Sequence, residues 1–381
     1  MTMAQQARPR GDAARGTVLA LVPGGSARTS RHECAALEGH VRVIAGLLGQ
    51  EPGGWHDPGR HYDLPVYFVP SDTLTLEQAH ALGIRGPDAL FGGVVPHAFV
   101  AGKCISHPLV STGAACPAGW SHALHAAAAD AVLDGHAAFS REDAQAAGRR
   151  LLARGPVRIK PAQATGGRGQ VVAADEPALV AALGALGAAD LQRHGVVLEE
   201  DLAEVRTYSV GTIQVGALVA SYYGTQQLTP DTRGEPVYGG SKLDVTRGGL
   251  DALAAADAPA EARLAVEQAR RFDAAVQACY PDFFASRRNY DVAVGRNGRG
   301  ELRSGVLEQS WRVGGATGAE LAALAALAAQ PALQRVRARC VERFGPSPEP
   351  PPGATVHFRG EDPRAGWLTK YTVVEDDADA S

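Results

Sequence analysis

The chain has 381 residues, of which 45% are hydrophobic and 20% are charged, a composition typical of a globular protein of two or three domains. Its formal net charge of −4 argues against nucleic-acid binding, and it has no apolar run long enough to span a membrane. Five scattered cysteines without a C-x-x-C pair argue against a disulfide framework or a zinc site, which favours the cytoplasm.

The first part of the chain predicts an N-terminal α/β lobe over residues 17–139, after a disordered terminus of residues 1–16. The apolar run Thr17–Val22 is too short for a signal peptide and predicts a strand, followed by a glycine-rich turn and a helix that ends near Leu48. The segment Asp88–Val110 is apolar and interrupted by glycines, and it contains Lys103. It is interpreted as a buried wall with one functional cation.

Residues 140–204 predict a compact lid subdomain with a β-loop-β-α-β order. Ser140-Arg-Glu-Asp143 resembles a capping box and predicts the start of a helix, which Gly155-Pro156 ends. The rest of the unit is predicted as the strand Val157–Lys160, the loop Gln163–Gly169, the strand Gln170–Ala173, a helix that opens at Asp175, and the strand Gly195–Glu199.

Residues 205–345 predict the larger half of the fold, and residues 346–381 a proline-rich and then acidic tail that is expected to be disordered. In chain order the sequence predicts a hairpin of Val205–Gln214 and Ala217–Gln226, a polar loop over Leu228–Gly249, a helix over Ala260–Cys279, strands over Asn289–Val294 and Glu301–Glu308, and helical sequence up to Phe344.

Lysine is scarce, since only four of the 37 basic residues are lysines, at positions 103, 160, 242 and 370. A codon bias explains the excess of arginine but not which positions keep lysine. A compact ammonium group is favoured where a point charge meets a phosphate in a narrow site. Each lysine is therefore a candidate for a functional role.

A first candidate motif is the segment Lys160–Gln170, in which a strand-borne lysine precedes a loop with three glycines. Glycines allow backbone N–H groups to close around phosphate oxygens, while the lysine supplies charge to an inner phosphate. The segment lacks the order of a P-loop and of the dinucleotide fingerprint. An ordinary glycine-rich hairpin beside a lysine is the alternative.

A second candidate motif is the apolar strand that runs into acidic residues over Val196–Arg206. An adenine slot needs an apolar wall and an acceptor for the amino group, and a nearby carboxylate can bind the ribose hydroxyls. Glu199 and Glu204 suit these two roles. A strand end with solvated acids is the alternative.

A third candidate motif pairs Asp291 with Glu308, two acids in neighbouring apolar strands. Such carboxylates repel each other unless a cation lies between them, and Mg²⁺ bound by one or two carboxylates and ATP phosphates meets that need. Arg312 could then hold an anionic group nearby. A structural salt bridge is the alternative, but the pair contains no lysine.

The order of these motifs resembles the ATP-grasp superfamily over roughly Phe91 to Gly315, and Glu204-Val-Arg206 is similar to the D-x-R element of ribosomal-protein glutamate ligases and glutathione synthetases. Leu90–Val110 resembles a bacterial family of unknown function in that superfamily. The resemblance implies an α/β chain, α+β in its nucleotide-binding half, with an N-terminal lobe followed by two lobes that clamp ATP.

Residue by residue, the resemblance implies ATP as cofactor with Mg²⁺ or Mn²⁺. The implied contacts are Lys103 and Lys160 on the phosphates, Gly166, Gly167, Arg168 and Gly169 as a phosphate lid, Leu198, Glu199 and Glu200 at the adenine, Glu204 at the ribose, Asp291, Glu308 and Ser310 on the metal, and Arg206 and Arg312 as catalytic residues at the transferring phosphoryl group or the acyl-phosphate.

The resemblance also implies a reaction, an ATP-dependent ligation in which a small-molecule or peptide carboxylate is activated as an acyl-phosphate and joined to an amine or similar nucleophile. It further implies a homodimer. Ser310 stands where the family usually has asparagine, which keeps a non-catalytic ATP-binding regulatory protein open as a second interpretation. An ATP-grasp kinase and a biotin-carboxylase-like enzyme also stay open.

Overall fold

The computed structural model describes residues 16–25, 30–163, 169–346 and 348–375. The predicted disorder of residues 1–16 therefore falls, apart from Gly16, outside the described residues, as do the acidic residues 376–381. Within the described ranges, no helix is both long and apolar enough to cross a membrane.

The N-terminal part contains β1 (Thr17–Leu21), α1 (Arg31–Leu48), β2 (Glu51–Trp55), β3 (Val66–Pro70), β4 (Leu74–Thr75), α2 (Leu76–Ala81), β5 (Gly93–Val95) and α3 (His122–Ala127). Strands β2, β1 and β3 form a parallel sheet in that order. A capping box begins α1, because the Ser30 hydroxyl accepts a hydrogen bond from Glu33 N and the Glu33 carboxylate accepts one from Ser30 N. Gly49 ends the helix in the left-handed conformation.

The lid subdomain contains β6 (Gly135–Ala138), α4 (Arg141–Leu152), β7 (Val157–Pro161), β8 (Val171–Ala173), α5 (Glu176–Gly184), α6 (Ala188–His194) and β9 (Val196–Glu200). Its four strands form an antiparallel sheet in the order β6-β9-β7-β8. Ser140 caps α4 as predicted, since its hydroxyl accepts a hydrogen bond from Asp143 N. Leucines of α4 and α5 pack over one face of the sheet, and on the other face Ala137 and Val197 pack against Cys104 and Leu109 and leave part of that face open.

The remaining elements are β10 (Ala203–Val215), β11 (Leu218–Pro230), β12 (Pro236–Arg247), α7 (Leu250–Ala255), α8 (Ala260–Cys279), β13 (Phe284–Ala285), β14 (Arg287–Arg296), β15 (Leu302–Ser310), α9 (Thr317–Ala329), β16 (Arg335–Phe344), β17 (Thr355–Asp362) and β18 (Gly366–Glu375). Eight of these strands form one antiparallel sheet in the order β15-β14-β10-β11-β12-β16-β18-β17. Helix α8 packs on one face of this large sheet, while α1 and α9 pack on part of the other. The predicted α/β class, with α+β in the second half, is confirmed.

The predicted polar loop over Leu228–Gly249 is wrong, because most of it is strand. Strand β11 continues to Pro230, and β12 pairs with both β11 and β16. Ser241, Leu243 and Val245 are buried while Lys242 and Asp244 between them are not, which is the two-residue alternation of a strand. The glycines at 239 and 240 obscure this alternation in the sequence.

The predicted helix up to Phe344 and the predicted disorder of the tail are also wrong for the described residues. Helix α9 ends at Ala329, and β16 alternates arginines with the buried Val336, Ala338 and Cys340. Beyond the proline run, β17 and β18 complete the edge of the large sheet. The prolines mark a connection between strands rather than the end of the fold.

A chain truncated after Gly345 is expected to lose its cooperative thermal unfolding transition. The deletion removes β17 and β18, including Leu368, which is fully buried, and it uncovers α1 and α9. Calorimetry of the truncated chain and of a control truncated after Glu375 checks this expectation. A truncated chain that unfolds at the control's temperature would show that the strands are dispensable.

Candidate active site

A cavity of about 380 Å³ lies between the open face of the lid sheet and the large sheet. The lid sheet contributes side chains from β7 and β9, and the large sheet contributes side chains from β10, β11, β14 and β15. The lining residues are Lys103, Leu133, Arg158, Lys160, Gln170, Glu199, Glu200, Leu202, Val205, Thr207, Gln226, Asp291, Ala293, Leu307 and Glu308. We call this cavity the central cleft.

Lys160 and Glu199 form a buried ion pair on the lid side of the central cleft. They lie on the adjacent strands β7 and β9, and Lys160 Nζ donates to Glu199 Oε1 at 2.7 Å. Nε2 of His107 lies 3.6 Å from the other carboxylate oxygen, and neither of these two atoms has a hydrogen-bond partner among the described residues. Burial raises the pKa of Glu199, although Lys160 opposes the shift, and burial lowers the pKa of His107. The lid side of the cleft therefore holds the buried ammonium group of Lys160 beside a carboxyl group and an imidazole whose neutral forms are favoured by burial.

Lys103 lies on the opposite wall, in the short 3₁₀ helix Lys103–Ser106. Its Nζ lies 3.0 Å from Glu308 Oε2, and its side chain is only 8% exposed. The segment is held against β15 because Gln309 Nε2 donates to the carbonyls of Val100 and Gly102 at 2.9 and 2.7 Å. These two hydrogen bonds explain how an irregular, apolar segment holds Lys103 beside Glu308 and its neighbour Asp291.

Asp291 and Glu308 face each other across the β14-β15 pair. Ser209 Oγ donates to Asp291 Oδ1 at 3.0 Å, and the amides of Asn289 and Gln226 donate to the same carboxylate at 3.2 and 3.3 Å. Burial and then the neighbouring Glu308 raise the pKa of Asp291 to about 6, against these hydrogen bonds, which lower it. The predicted approach of the two carboxylates is therefore present in the fold.

The residues at this point fit a bound divalent cation. Two carboxylates share one face, and Ser310 joins that face because it lies two residues after Glu308 and opposite Asn289. The described residues contain no group of three or more His, Cys, Asp or Glu side chains that could enclose a metal. This donor set suits Mg²⁺, which proteins bind by one or two carboxylates while substrate phosphates complete the coordination.

Arg206 does not face the central cleft, which corrects its predicted catalytic position. It shares a face of β10 with the buried Tyr208, on the side covered by α8. Its Nη1 donates to Glu261 Oε2 at 2.8 Å, and its side chain is 62% exposed. A register irregularity between Ala203 and Arg206 precedes this stretch, and a shift of one residue exchanges the faces of a strand.

Glu204 is also outside the central cleft, which corrects the predicted ribose contact. It lies at the same irregularity, with a φ of 53° that is unusual for a residue other than glycine. Its side chain is 78% exposed and lies 3.6 Å from Arg296. The cleft is lined instead by Val205 and Thr207 from this stretch.

Of the other predicted adenine contacts, Glu200 lines the central cleft and Leu198 does not. Glu200 lines the cleft and accepts a hydrogen bond from Arg303 Nε at 2.9 Å. The Leu198 side chain packs in the core beneath α4 and α5, so it does not line the cleft. Gly169 has a φ of 69°, which favours glycine, whereas Gly166, Gly167 and Arg168 lie outside the described residues.

Arg312 lines a different cavity, of about 660 Å³, which we call the second cavity. It lies beyond the end of β15, between the N-terminal lobe and the large sheet, and Arg312 Nε is 3.9 Å from Asp72 Oδ1 there. Glu308 and Arg312 are four residues apart, a span of at most about 14 Å of extended chain. Arg312 is thus near the carboxylate pair but belongs to the neighbouring cavity.

Several cleft residues were missed in the sequence. Arg158 lines the cleft and could have been found, because it lies two residues before Lys160 and so on the same face of β7. Ser209, Gln226 and Asn289 surround Asp291, but they come from three different strands. Only the pairing of those strands brings them together.

No curated protein matches this sequence. Solved structures similar to the chain include D-alanyl-alanine synthetase A from Vibrio cholerae, with 12% identity, a TM-score of 0.44 and coverage of 80% of this chain and 90% of that one. Phosphoribosylamine–glycine ligase from Thermotoga maritima has 13% identity, a TM-score of 0.45 and coverage of 94% and 92%. A RimK-domain ATP-grasp protein from Sphaerobacter thermophilus has 14% identity, a TM-score of 0.38 and coverage of 79% and 92%.

At these identities and TM-scores, the likenesses carry no argument about what the chain binds or does. A family model matches residues 21–372, which is most of the sequence and includes every residue of the central cleft. The predicted relation to a family of unknown function is therefore confirmed. The chain belongs to the family described as protein of unknown function (DUF3182).

Proposed function

We propose that the chain is an ATP-grasp enzyme that uses MgATP to activate a carboxylate for ligation to an amine or similar nucleophile. The observation that carries this proposal is the composition of the central cleft. Lys160 projects from the lid sheet, and the carboxylates of Asp291 and Glu308 project from the large sheet with Lys103 beside them. Two buried ammonium groups suited to phosphate oxygens and two carboxylates suited to a phosphate-bound cation are thus combined in one cavity.

The proposed residue roles are those that the resemblance implies, kept for the side chains at the central cleft and the β14-β15 pair. Lys103 and Lys160 bind the phosphates, Glu199 and Glu200 lie at the adenine side, and Asp291, Glu308 and Ser310 hold Mg²⁺ or Mn²⁺. The glycine-rich segment around Gly169 is proposed to cover the phosphates. When bound, the metal would neutralise charge on the phosphates during transfer.

The proposed reaction has two steps. A carboxylate oxygen of the substrate attacks the γ-phosphorus of ATP, and the bond from that phosphorus to the β,γ-bridging oxygen breaks, which releases ADP and leaves an acyl-phosphate. A neutral amine then attacks the carbonyl carbon, phosphate leaves with the C–O bonding electrons, and the nitrogen loses a proton. Lys103 and Lys160 would stabilise charge on the transferring group.

A screen with a single universal acceptor tests this proposal. Hydroxylamine replaces the unknown amine, and pools of carboxylic acids are added to the protein with ATP and Mg²⁺. We expect at least one pool to stimulate ADP release and to yield the matching hydroxamate by mass spectrometry, and we expect EDTA to abolish both signals. ADP release that is insensitive to EDTA, or the absence of a hydroxamate from every pool, would contradict the proposed ligase.

One feature favours a second candidate, a regulatory protein that binds ATP without turning it over. Ser310 offers a hydroxyl where the resemblance implies an amide ligand, and no third carboxylate joins Asp291 and Glu308 within the described ranges. This candidate requires MgATP binding without ADP release in any pool. A kinase would instead release ADP and give a stable phosphorylated product without hydroxamate.

A further inference from the structure

We infer that His107 is a positioning residue that shares one proton with Glu199 and so sets how much of the Lys160 charge is available to a nucleotide phosphate. The inference rests on the proposed function. The three side chains come from different elements, since Lys160 lies on β7, Glu199 lies on β9, and His107 follows the 3₁₀ helix Lys103–Ser106. Each of the three is at most 4% exposed. We call these three side chains the buried triad.

The neighbouring Ser106 fixes the tautomer of His107. The Ser106 hydroxyl donates its only proton to the Lys103 carbonyl at 2.7 Å, and its oxygen lies 2.8 Å from His107 Nδ1. That oxygen can therefore only accept a hydrogen bond from Nδ1–H. Because a neutral imidazole carries a single proton, His107 Nε2 presents a lone pair towards Glu199.

Gly135 leaves the space that this imidazole occupies. It lies on β6 directly opposite Glu199 of β9. A Cβ atom at position 135 would lie 2.3 Å from His107 Cδ2 and 2.7 Å from its Nε2, closer than packed atoms approach. The ring is thus packed against the strand pair that carries Glu199, and this contact restricts its freedom to turn Nε2 away from the carboxylate.

Two acceptor atoms face each other in the buried triad unless a proton lies between them. Glu199 Oε1 accepts from Lys160 Nζ at 2.7 Å, whereas Oε2 lies 3.6 Å from His107 Nε2, and neither of the latter two atoms has a partner among the described residues. Buried acceptors without a donor are costly. One proton, together with a shift of about half an ångström, would join them by a hydrogen bond. Burial raises the pKa of Glu199 and lowers that of His107, which favours a single proton on the pair.

The shared proton decides the net charge that the buried triad offers to a phosphate. With the proton bound, the triad has one net positive charge; without it, the Glu199 carboxylate offsets Lys160. A phosphate beside Lys160 therefore raises the pKa of the pair, so the affinity for MgATP is greatest while the free protein holds the proton and falls as the pH rises through the pKa of the nucleotide complex. The other charged or titratable groups that face the pair are Lys103, Arg158, His125 and His136.

The test measures the Kd for MgATP by calorimetry from about pH 6 to about pH 9 in wild type and in Glu199→Gln. Glutamine reproduces the protonated carboxyl group at every pH, because its oxygen can accept from Lys160 while its amide donates to His107 Nε2. The ratio of the two Kd values cancels the ionisation of ATP itself. We expect wild type to match Glu199→Gln at the acid end and to bind roughly tenfold or more weakly at the alkaline end.

Two more variants make the test specific to the buried triad. His107→Gln supplies a permanent N–H donor to Glu199 from the other side and should likewise remove the pH dependence, which keeps the test decisive if one variant does not fold. Glu200→Gln is the matched control and should keep the wild-type pH dependence, because Glu200 pairs with Arg303 rather than with His107. A constant ratio of Kd values between wild type and the folded triad variants would overturn the inference alone, whereas a wild-type protein that binds no MgATP at any pH would overturn the proposed function.

Discussion

Glu308→Gln is expected to lower the rate of MgATP-dependent ADP release by roughly a hundredfold to a thousandfold. Glu308 and Asp291 are paired across β14 and β15 at the central cleft, and the substitution removes one of the two negative charges proposed to hold the metal. Glutamine keeps the shape of the side chain and can still accept a hydrogen bond from Lys103. The effect would therefore report the lost charge rather than lost packing.

Glu204→Gln is the matched control for that experiment. The family motif would place Glu204 at the ribose, but its side chain is 78% exposed and lies outside the central cleft. We expect this variant to keep ADP release within about twofold of wild type. If Glu204→Gln lost as much ADP release as Glu308→Gln, the motif's assignment of Glu204 to the ribose would be supported. Full ADP release in Glu308→Gln would contradict the proposed metal site.

Glu320→Ala is expected to lower the free energy of unfolding by about 3–5 kcal/mol. Glu320 is fully buried and accepts hydrogen bonds from Arg287 Nε and Nη2 at 2.8 and 2.7 Å. The Tyr222 hydroxyl donates to the same carboxylate, and its oxygen lies 2.9 Å from Asn289 Oδ1. Alanine would leave Arg287 charged and unpaired in the core, which is the costly outcome for a buried pair. Urea unfolding followed by circular dichroism measures the change.

Two further variants separate this mechanism from general sensitivity to substitution. Glu267→Ala breaks a partly exposed cluster with Arg270 and Arg271 and is expected to cost no more than about 1 kcal/mol. The double variant Arg287→Met, Glu320→Leu removes both charges and is expected to recover much of the lost stability. Equal losses of unfolding free energy in Glu320→Ala and Glu267→Ala would contradict the claim that the buried pair of Arg287 and Glu320 stabilises the fold more than a partly exposed cluster does.

The regular parts of the fold could be predicted because their signals are local. Helix α8 has the predicted bounds Ala260–Cys279, and the predicted strand Val157–Lys160 is extended by one residue. The strands after residue 330 were missed because alternating arginines and small residues over Arg335–Phe344 also fit a helical composition. Their strand character depends on β12 and β18, which lie far away in the sequence.

The candidate site could be predicted where one strand or one strand pair contains the information. Asp291 and Glu308 face each other as predicted, and Lys160 points into the cleft. Arg206 and Glu204 were placed wrongly because a register irregularity in β10 decides which side chains face the cleft. Arg312 was placed at the transferring phosphoryl group or the acyl-phosphate, but the chain leaves β15 after Ser310 and carries it into a second cavity.

Calorimetric titration of ATP into the protein, with Mg²⁺ and with EDTA, tests the central claim most directly. The variants Lys160→Met and Lys242→Met are titrated in parallel, because one lysine lies in the central cleft and the other on the sheet surface beside Glu375. We expect Mg²⁺ to tighten binding, and we expect Lys160→Met alone to weaken it by roughly ten- to a hundredfold. Binding that is indifferent to Mg²⁺, or weakened equally by both substitutions, would contradict a nucleotide site in this cleft.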